Sequence, residues 1–362
     1  MDVRPRWERL ASRESARFLL CSRLEDIRWL TGFTGSTAQL VADRHNAVGH
    51  LIVDSRYLER ARHEVTESHG PIEIHLMESG VTLASLLKVI VGEESVAVDP
   101  NNITVAQFDS LRKETSLVSE ESPVGELRRI KDDTEIGLIE RAAKIADDAL
   151  ASLLDDGLFG RTERDVRLQL DHLMRLGGAD DVGFDTIVAT GPHAARPHHE
   201  PSEAVIEDGH LVIIDFGAEL DGYRSDMTRT IRVGNVSPEL ESMFEIVREA
   251  QECGVNAVTH GVVGSEVDAA VRRVFARVGL EHEFIHGTGH GIGLFIHEPP
   301  ILSPRCNAVL GRNEVVTVEP GLYRYGVGGV RIEDLVVVTD SRCRILTNTP
   351  KDLSCPRSPR MI

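Results

Sequence analysis

Two aspartates lie on either side of a turn signal. The run Leu211-Val-Ile-Ile-Asp215-Phe-Gly leads into Glu219-Leu-Asp-Gly222, and Tyr223-Arg-Ser-Asp226-Met-Thr follows. The flanking runs read as the strands of one hairpin. A four-residue connection centred between Leu220 and Asp221 sets Asp215 directly opposite Asp226. A two-residue loop at Asp221-Gly222 sets them diagonally, still on one face. In both arrangements like charges meet at cross-strand distance, which destabilises a hairpin unless something neutralises them. A cation does so most simply.

Nine of the fifteen histidines fall between His193 and His297. Three of them stand in His286-Gly-Thr-Gly-His290-Gly-Ile-Gly-Leu-Phe-Ile-His297, at spacings of four and seven among four glycines. So much glycine disfavours a helix and indicates a tight loop entering a strand, where backbone can approach a ligand. Glu319 ends the apolar run Val315-Val-Thr-Val just before Pro320-Gly321, and Glu333 precedes another apolar run. Upstream, Pro197-His198-His199 follows the strand-like Ile187-Val-Ala-Thr and its turn. Asp215, Asp226, His290, Glu319 and Glu333 make an oxygen-rich set with one imidazole and no thiolate. Such donors suit Mn²⁺ first, with Co²⁺ or Zn²⁺ as alternatives. Four carboxylates balance two divalent ions, and an ion pair activates water and polarises a carbonyl. The chemistry this points to is hydrolysis.

These residues need a frame. The first ~125 residues alternate short apolar runs (Arg17–Cys21, Gln39–Ala42, His50–Val53, Ile72–Leu76, Val96–Val98) with helical spacing near 55–64, 83–91 and 104–113, an α/β pattern. The polar Ser119–Gly125 stretch marks a boundary. Beyond it, an amphipathic helix is predicted over Asp132–Leu154. A second starts at Thr162-Glu-Arg-Asp165 and closes at Gly177-Gly178. Two further helices are signalled by Ser237-Pro238 and by Ser265-x-x-Asp268, the latter ending at Gly279. A helix pair followed by a hairpin thus occurs twice, and the second domain reads as α+β. The expected domains are 1–125 and 126–353, with 354–362 a fraying tail.

Composition narrows the function classes. The 362 residues carry 58 acidic and 40 basic side chains, a net charge of −18, which repels nucleic acid and anionic membranes. The only short basic clusters are Arg128-Arg129-Ile130-Lys131 and the last few residues. Five scattered cysteines without a Cys-x-x-Cys pair disfavour a zinc ribbon or a disulfide framework. No apolar stretch is long enough to span a bilayer, and residues 1–14 lack a signal-peptide core. The expectation is a cytoplasmic protein with no nucleic-acid or membrane partner.

The order and spacing of the candidate residues resemble the pita-bread metallopeptidases, which include Xaa-Pro aminopeptidase, prolidase, methionine aminopeptidase and the metal-free creatinases. The likeness rests on Ile214-Asp-Phe-Gly-Ala218, Ser225-Asp-Met-Thr-Arg-Thr230, Gly287-Thr-Gly-His-Gly-Ile-Gly293, His297-Glu298, Val318-Glu-Pro-Gly321 and Val330-Arg-Ile-Glu-Asp334. In the first half, Trp29-Leu-Thr-Gly-Phe-Thr-Gly-Ser-Thr37 and Asp54-Ser-Arg-Tyr57 look like the creatinase-type N-terminal domain. Methionine aminopeptidases generally lack that domain, so the proline-specific branch is the nearer match. The resemblance implies a pita-bread catalytic domain after a smaller α/β domain, acting on peptides, and commonly a homodimer. It implies that Asp215 chelates one metal, Asp226 and Glu333 bridge two, and His290 holds the second beside Glu319. Glu319 would also carry a proton to the leaving nitrogen. His198 and His297 would position substrate and stabilise the tetrahedral intermediate. His286 matches a further active-site histidine and Arg331 an arginine bracing the ligands.

One departure from the pattern follows His297, where Glu298-Pro-Pro-Ile-Leu lacks the basic residue of some relatives. Arg305, fourteen residues before Glu319, is a candidate partner for the free carboxylate of a dipeptide. The leading reading is a dinuclear peptidase cutting after an N-terminal residue that precedes proline. The alternatives are a non-peptidase metal-dependent hydrolase or lyase on the same fold, and a binding protein without turnover.

Overall fold

The computed structural model describes residues 3–11, 16–68 and 70–356, which fall into two units divided between Arg128 and Arg129. Unit one contains, in order, α1 (Arg4–Ala11), β1 (Phe18–Cys21), α2 (Leu24–Thr31), β2 (Gln39–Asp43), β3 (Val48–Val53) and α3 (Leu58–Ser68). It continues with β4 (Ile72–Leu76), α4 (Leu83–Val91), β5 (Val96–Val98), α5 (Val105–Leu111), β6 (Leu117–Ser119) and α6 (Val124–Arg129). Its six strands form one sheet in the order β4-β3-β2-β1-β5-β6. The β1–β2–β3 meander is antiparallel, whereas β3/β4, β1/β5 and β5/β6 pair in parallel. Parallel neighbours need crossovers, and α3 and α5 supply two of them. Thr82 and Thr104 open α4 and α5 with reciprocal capping boxes.

Helices α1 and α2 escape the periodicity because arginine and acidic residues interrupt their apolar faces. They are fixed by tertiary bonds instead: Arg6 Nη1 donates to the Trp29 carbonyl and Trp7 Nε1 to the Leu30 carbonyl, at 2.8 and 2.7 Å. The expected boundary at residue 125 falls inside α6. Val124 and Leu127 are buried, and Arg128 pairs with buried Asp26 at 2.6 Å, so this helix stays with unit one as far as Arg128.

Unit two begins with α7 (Asp133–Asp156) and α8 (Glu163–Leu176), then β7 (Asp181–Val182), β8 (Ile187–Thr190), β9 (Leu211–Phe216), β10 (Ala218–Leu220), β11 (Tyr223–Arg224) and β12 (Met227–Val233). After α9 (Pro238–Ala257) and α10 (Gly264–Arg277) come β13 (Gly289–Gly291), β14 (Glu298–Leu302), β15 (Val315–Val318), β16 (Gly321–Arg324), β17 (Gly328–Arg331), β18 (Asp334–Val338), β19 (Cys343–Ile345) and β20 (Leu353–Cys355). The larger sheets run β20-β12-β9-β8 and β14-β13-β15-β18-β19. Helices pack in the pairs α7/α8 and α9/α10. Valines of α9, α10, β15 and β18 form one core, while Phe244, Phe275 and Phe284 join Leu322, Val330 and Ile332 in another.

Two local expectations change. Helix α10 starts at Gly264 with Val263 at its N-cap, a side chain with no acceptor, so Ser265 falls inside the first turn and caps nothing; the Asp268 carboxylate instead accepts from Arg272 Nε at 2.7 Å and Thr288 Oγ1 at 2.9 Å. The tail does not fray from 354, since Leu353–Cys355 adds in parallel to β12. Residues 357–362 of that predicted tail lie outside the described residues.

Candidate active site

The hairpin adopts the two-residue alternative. Leu220 pairs with Tyr223 around Asp221-Gly222, whose φ values are 48° and 72°. Positive φ at both central residues matches the right-handed twist of the strands, which explains why an Asp-Gly pair stands there. The same register continues along β9 and β12 and places Asp215 opposite Thr228, so Asp226 is diagonal to Asp215. Between the paired segments the backbones close up: a Cβ on Gly217 would lie 1.9 Å from the Ser225 carbonyl oxygen. Only glycine fits.

The other candidates come from the five-stranded sheet and the neighbouring β16–β17 hairpin. His290 is on β13, Glu319 directly follows β15, Arg331 ends β17, and Glu333 precedes β18. Gly289 lets β13 approach β15, because a Cβ there would meet the Thr317 carbonyl oxygen at 2.0 Å. Asp215, Asp226, His290, Glu319 and Glu333 all line one cavity of about 280 Å³. His198, His286, His297 and Arg331 line it too, with Phe184, Ile187, Pro197, Ile296 and Ile301 as apolar wall. Arg305 is exposed in the turn after β14 and lies outside this lining.

Electrostatics within the cavity favour bound cations. Burial, then repulsion from Glu333 and Asp215, drives Asp226 well above the usual carboxylate range. Burial, with Glu319 and Asp215, does the same to Glu333. Burial pushes Glu319 up to about 8, against the pull of Arg331. Protein atoms alone therefore resist ionising the cluster. Asp215 Oδ1 is buried with no hydrogen-bond partner, while its Oδ2 accepts from Arg331 Nη2 at 2.7 Å. Donor atoms of Asp226, His290 and Glu333 lie within 4.8 Å of one another.

Burial lowers His290 to about 4, so its ring is neutral. Nδ1–H donates to the Gly291 carbonyl at 3.0 Å, which leaves the Nε2 lone pair free. That Nε2 stands 3.4 Å from Glu319 Oε1 and 3.6 Å from Asp226 Oδ2, separations typical of atoms sharing an ion. An orphaned carboxylate oxygen, an aimed imidazole and crowded acids fit a divalent metal centre.

Four residues that sequence reasoning did not single out complete the site. Thr228 Oγ1 donates to Glu333 Oε2 at 2.8 Å and accepts from Arg331 Nε at 3.1 Å. Thr317 Oγ1 accepts from the His290 N–H at 3.0 Å and donates to Glu319 Oε1 at 3.2 Å. The Tyr323 hydroxyl accepts from Arg331 Nη1 at 2.9 Å and lies 2.8 Å from His286 Nε2. Since His286 Nδ1 donates to the Gly287 carbonyl and burial lowers this ring to about 4, the tyrosine donates to Nε2.

Glu163, the first residue of α8, is fully buried and holds the loop that carries His198. Its carboxylate accepts from the Thr190 and Ser202 backbone N–H groups and Ser202 Oγ, and bonds His193 Nδ1 and His199 Nε2, all within 3.0 Å. The register pointed to Thr228, which a two-residue turn puts opposite Asp215. Glu163, Thr317 and Tyr323 carry no comparable sequence signal.

This geometry has counterparts. The sequence pattern of metallopeptidase family M24 matches residues 137–340, and that of the Creatinase/Prolidase N-terminal domain matches residues 6–130. The chain belongs to metallopeptidase family M24. It is 35% identical to an Xaa-Pro dipeptidase of Pyrococcus furiosus over 84% of this chain and 88% of that one. A solved Xaa-Pro dipeptidase from Bacillus anthracis superposes with a TM-score of 0.90 at 36% identity, covering 97% of this chain and 99% of the other. An X-Pro aminopeptidase from Thermotoga maritima gives 0.86 at 32%, again over 97% and 99%. The M24 chain thus has the pita-bread catalytic fold behind a creatinase-type N-terminal domain, as its motifs implied.

Proposed function

We propose that this protein is an exopeptidase that hydrolyses the bond between an N-terminal residue and proline, in dipeptides and short peptides. The observation that carries this reading is the convergence of five metal-ligand candidates and three histidines on one cavity with an apolar wall. That wall suits a proline ring, which has no N–H to satisfy. Similarity to proteins named as Xaa-Pro dipeptidases and an X-Pro aminopeptidase supports the same bond, and weighs against the non-peptidase hydrolase or lyase.

Asp215, Asp226, His290, Glu319 and Glu333 would hold two divalent ions, with Mn²⁺ favoured by the oxygen-rich donor set. Bound there, such ions supply Lewis acidity that makes water nucleophilic at neutral pH and polarises the scissile carbonyl. Glu319 accepts the proton of the attacking water and returns it to the imino nitrogen as the C–N bond breaks. His198 and His297, at the exposed side of the cavity, orient the peptide and donate to the oxygen that gains charge. His286, kept neutral and tied to Tyr323, faces the same space. Arg331 fixes Asp215, Thr228 and Tyr323, and Glu163 positions the His198 loop.

Five free cysteines are consistent with a reducing, cytoplasmic location. No helix is long and apolar enough to cross a membrane among the described residues. A homodimer follows from the resemblance, and light scattering tests it. The activity is tested with a panel of Xaa-Pro dipeptides, Xaa-Pro tripeptides and non-proline controls, with added Mn²⁺. Turnover confined to Xaa-Pro bonds is the expected outcome. Cleavage of the controls at equal rates would overturn it.

A further inference from the structure

A second group of metal-type donors lies in unit one, made of residues that do not line the cavity. Strand β4 is the edge of its sheet and pairs in parallel with β3, in a register that sets His50 beside Glu73 and Ile52 beside His75. Because strand side chains alternate, His50, Glu73 and His75 fall on the same face, with His50 nearest to both of the others. His50 Nδ1 stands 3.1 Å from His75 Nε2 and 3.3 Å from Glu73 Oε2, and the remaining separation, His75 Nε2 to Glu73 Oε2, is 4.0 Å. A tetrahedral Zn²⁺ with nitrogen ligands at about 2.0–2.1 Å spaces its donor atoms about 3.3–3.4 Å apart. Two of the three separations are close to that value. The third closes with a small swing of Glu73, whose side chain is 65% exposed.

We propose that His50, Glu73 and His75 form a site for one Zn²⁺-class ion, with water completing the coordination. Two imidazoles and one carboxylate suit Zn²⁺, Co²⁺ or Ni²⁺ rather than Mn²⁺, the reverse of the oxygen-rich cavity. The side chains of His50 and His75 are 16% and 28% exposed, which leaves the ion a way in. Once bound, the ion links β4 to β3 through side chains as well as backbone, at a strand whose outer edge has no partner strand among the described residues.

The test is calorimetric titration of ZnCl₂ into the chelator-stripped full chain, the wild type beside His50→Ala and His75→Gln. Each variant is expected to bind one Zn²⁺ fewer than the wild type and to keep its Mn²⁺-supported peptidase activity. In an Asp226→Asn, Glu333→Gln chain, where the cavity cluster is disabled, Co²⁺ is expected to give the visible absorption of a four-coordinate ion. That band should disappear when His75→Gln is added. Equal Zn²⁺ stoichiometry in the wild type and both histidine variants would overturn the proposal, as would a Co²⁺ band indifferent to His75.

Discussion

Arg331 Nη2 donates to one oxygen of Asp215 at 2.7 Å, and the other oxygen of that carboxylate is buried without a partner. The arginine therefore orients the aspartate while leaving half of it for a cation, as an outer-shell group does for a metal ligand. The same guanidinium donates to Thr228 and Tyr323, so three elements of the site share one brace. Arg331→Ala strips the part-buried Asp215 carboxylate of its arginine and leaves one of its oxygens buried, and breaking a buried pair costs up to about 3–5 kcal/mol. Urea unfolding of the metal-free protein should show a loss of that order. Arg331→Lys should recover part of it, since a point charge cannot reproduce the fork. Indistinguishable unfolding midpoints for wild type and Arg331→Ala would remove the brace.

Metal should govern both activity and stability. Asp226, Glu319 and Glu333 are all held above their ordinary pKa by burial and mutual repulsion, and a cation relieves both. Chelation is expected to abolish peptidase activity, with Mn²⁺ or Co²⁺ restoring it. A ligand bound only by the folded state at a hundred times its Kd adds about 2.7 kcal/mol. Thermal unfolding should accordingly move up with Mn²⁺ in the wild type and stay put in Asp226→Asn, Glu333→Gln. Full activity in excess chelator, with no metal found by elemental analysis, would exclude a metal-dependent mechanism.

Glu163 is expected to act through the loop it holds. Burial raises its pKa, but hydrogen bonds from Ser202, His199 and Thr190 outweigh that and leave it below 4.5. Its contribution to stability is therefore complete above about pH 4.5 and lost as pH falls through the lower folded value. Glu163→Gln keeps the shape and removes the charge, so it should flatten stability across that acid window and cost about 1.5–3 kcal/mol at neutral pH. It should also lower kcat, yet add little in a His198→Ala background, because the two changes act on one loop. Fully additive losses in that double-mutant cycle would separate Glu163 from His198.

How much of this was legible in the sequence depends on the kind of signal. Asp215 and Asp226 could be placed on one face because period-two alternation keeps them there under either turn; which turn forms, and hence the register, needed the structure. The glycines around His290 announced a close approach, since Gly289 admits no Cβ against Thr317. Thr317, Tyr323 and Glu163 stay hidden because the bonds that tie them to His290, to His286 and to the His198 loop join residues 27 or more positions apart and are set by tertiary packing. Glu163 looks like an ordinary acid in the first turn of a helix. Helices α1 and α2 escape sequence reading for a related reason: their buried Arg6 and Asp26 are polar by type and interior only through tertiary bonds.

Glu319→Gln should separate proton transfer from metal binding. The amide keeps an oxygen toward the cluster but cannot accept the proton of an attacking water, so the loss should concentrate in kcat with KM little changed. General acid–base groups contribute about 10²–10⁴-fold, which sets the size of the expected fall. Metal content measured on the same sample should remain near the wild-type level. A variant with near-wild-type kcat would rule out Glu319 as the shuttle.

Arg305 tests how the far end of a substrate is treated. From sequence it was a candidate clamp for the carboxylate of an Xaa-Pro dipeptide, a contact worth ~1.5–3 kcal/mol when desolvated, or about tenfold to a hundredfold in kcat/KM. In the structure it is exposed in the turn after β14 and does not line the cavity, although Ile301 on that strand does. A solvated arginine loses most of such an interaction to water and salt. Arg305→Ala is therefore expected to leave kcat/KM for Xaa-Pro dipeptides within about twofold of wild type. Tripeptides, whose carboxylate lies one residue farther out, should respond no differently. The measurement is kcat/KM for matched dipeptide and tripeptide pairs at low and high salt. A tenfold, dipeptide-selective and salt-sensitive loss would bring Arg305 back as the residue that sets substrate length.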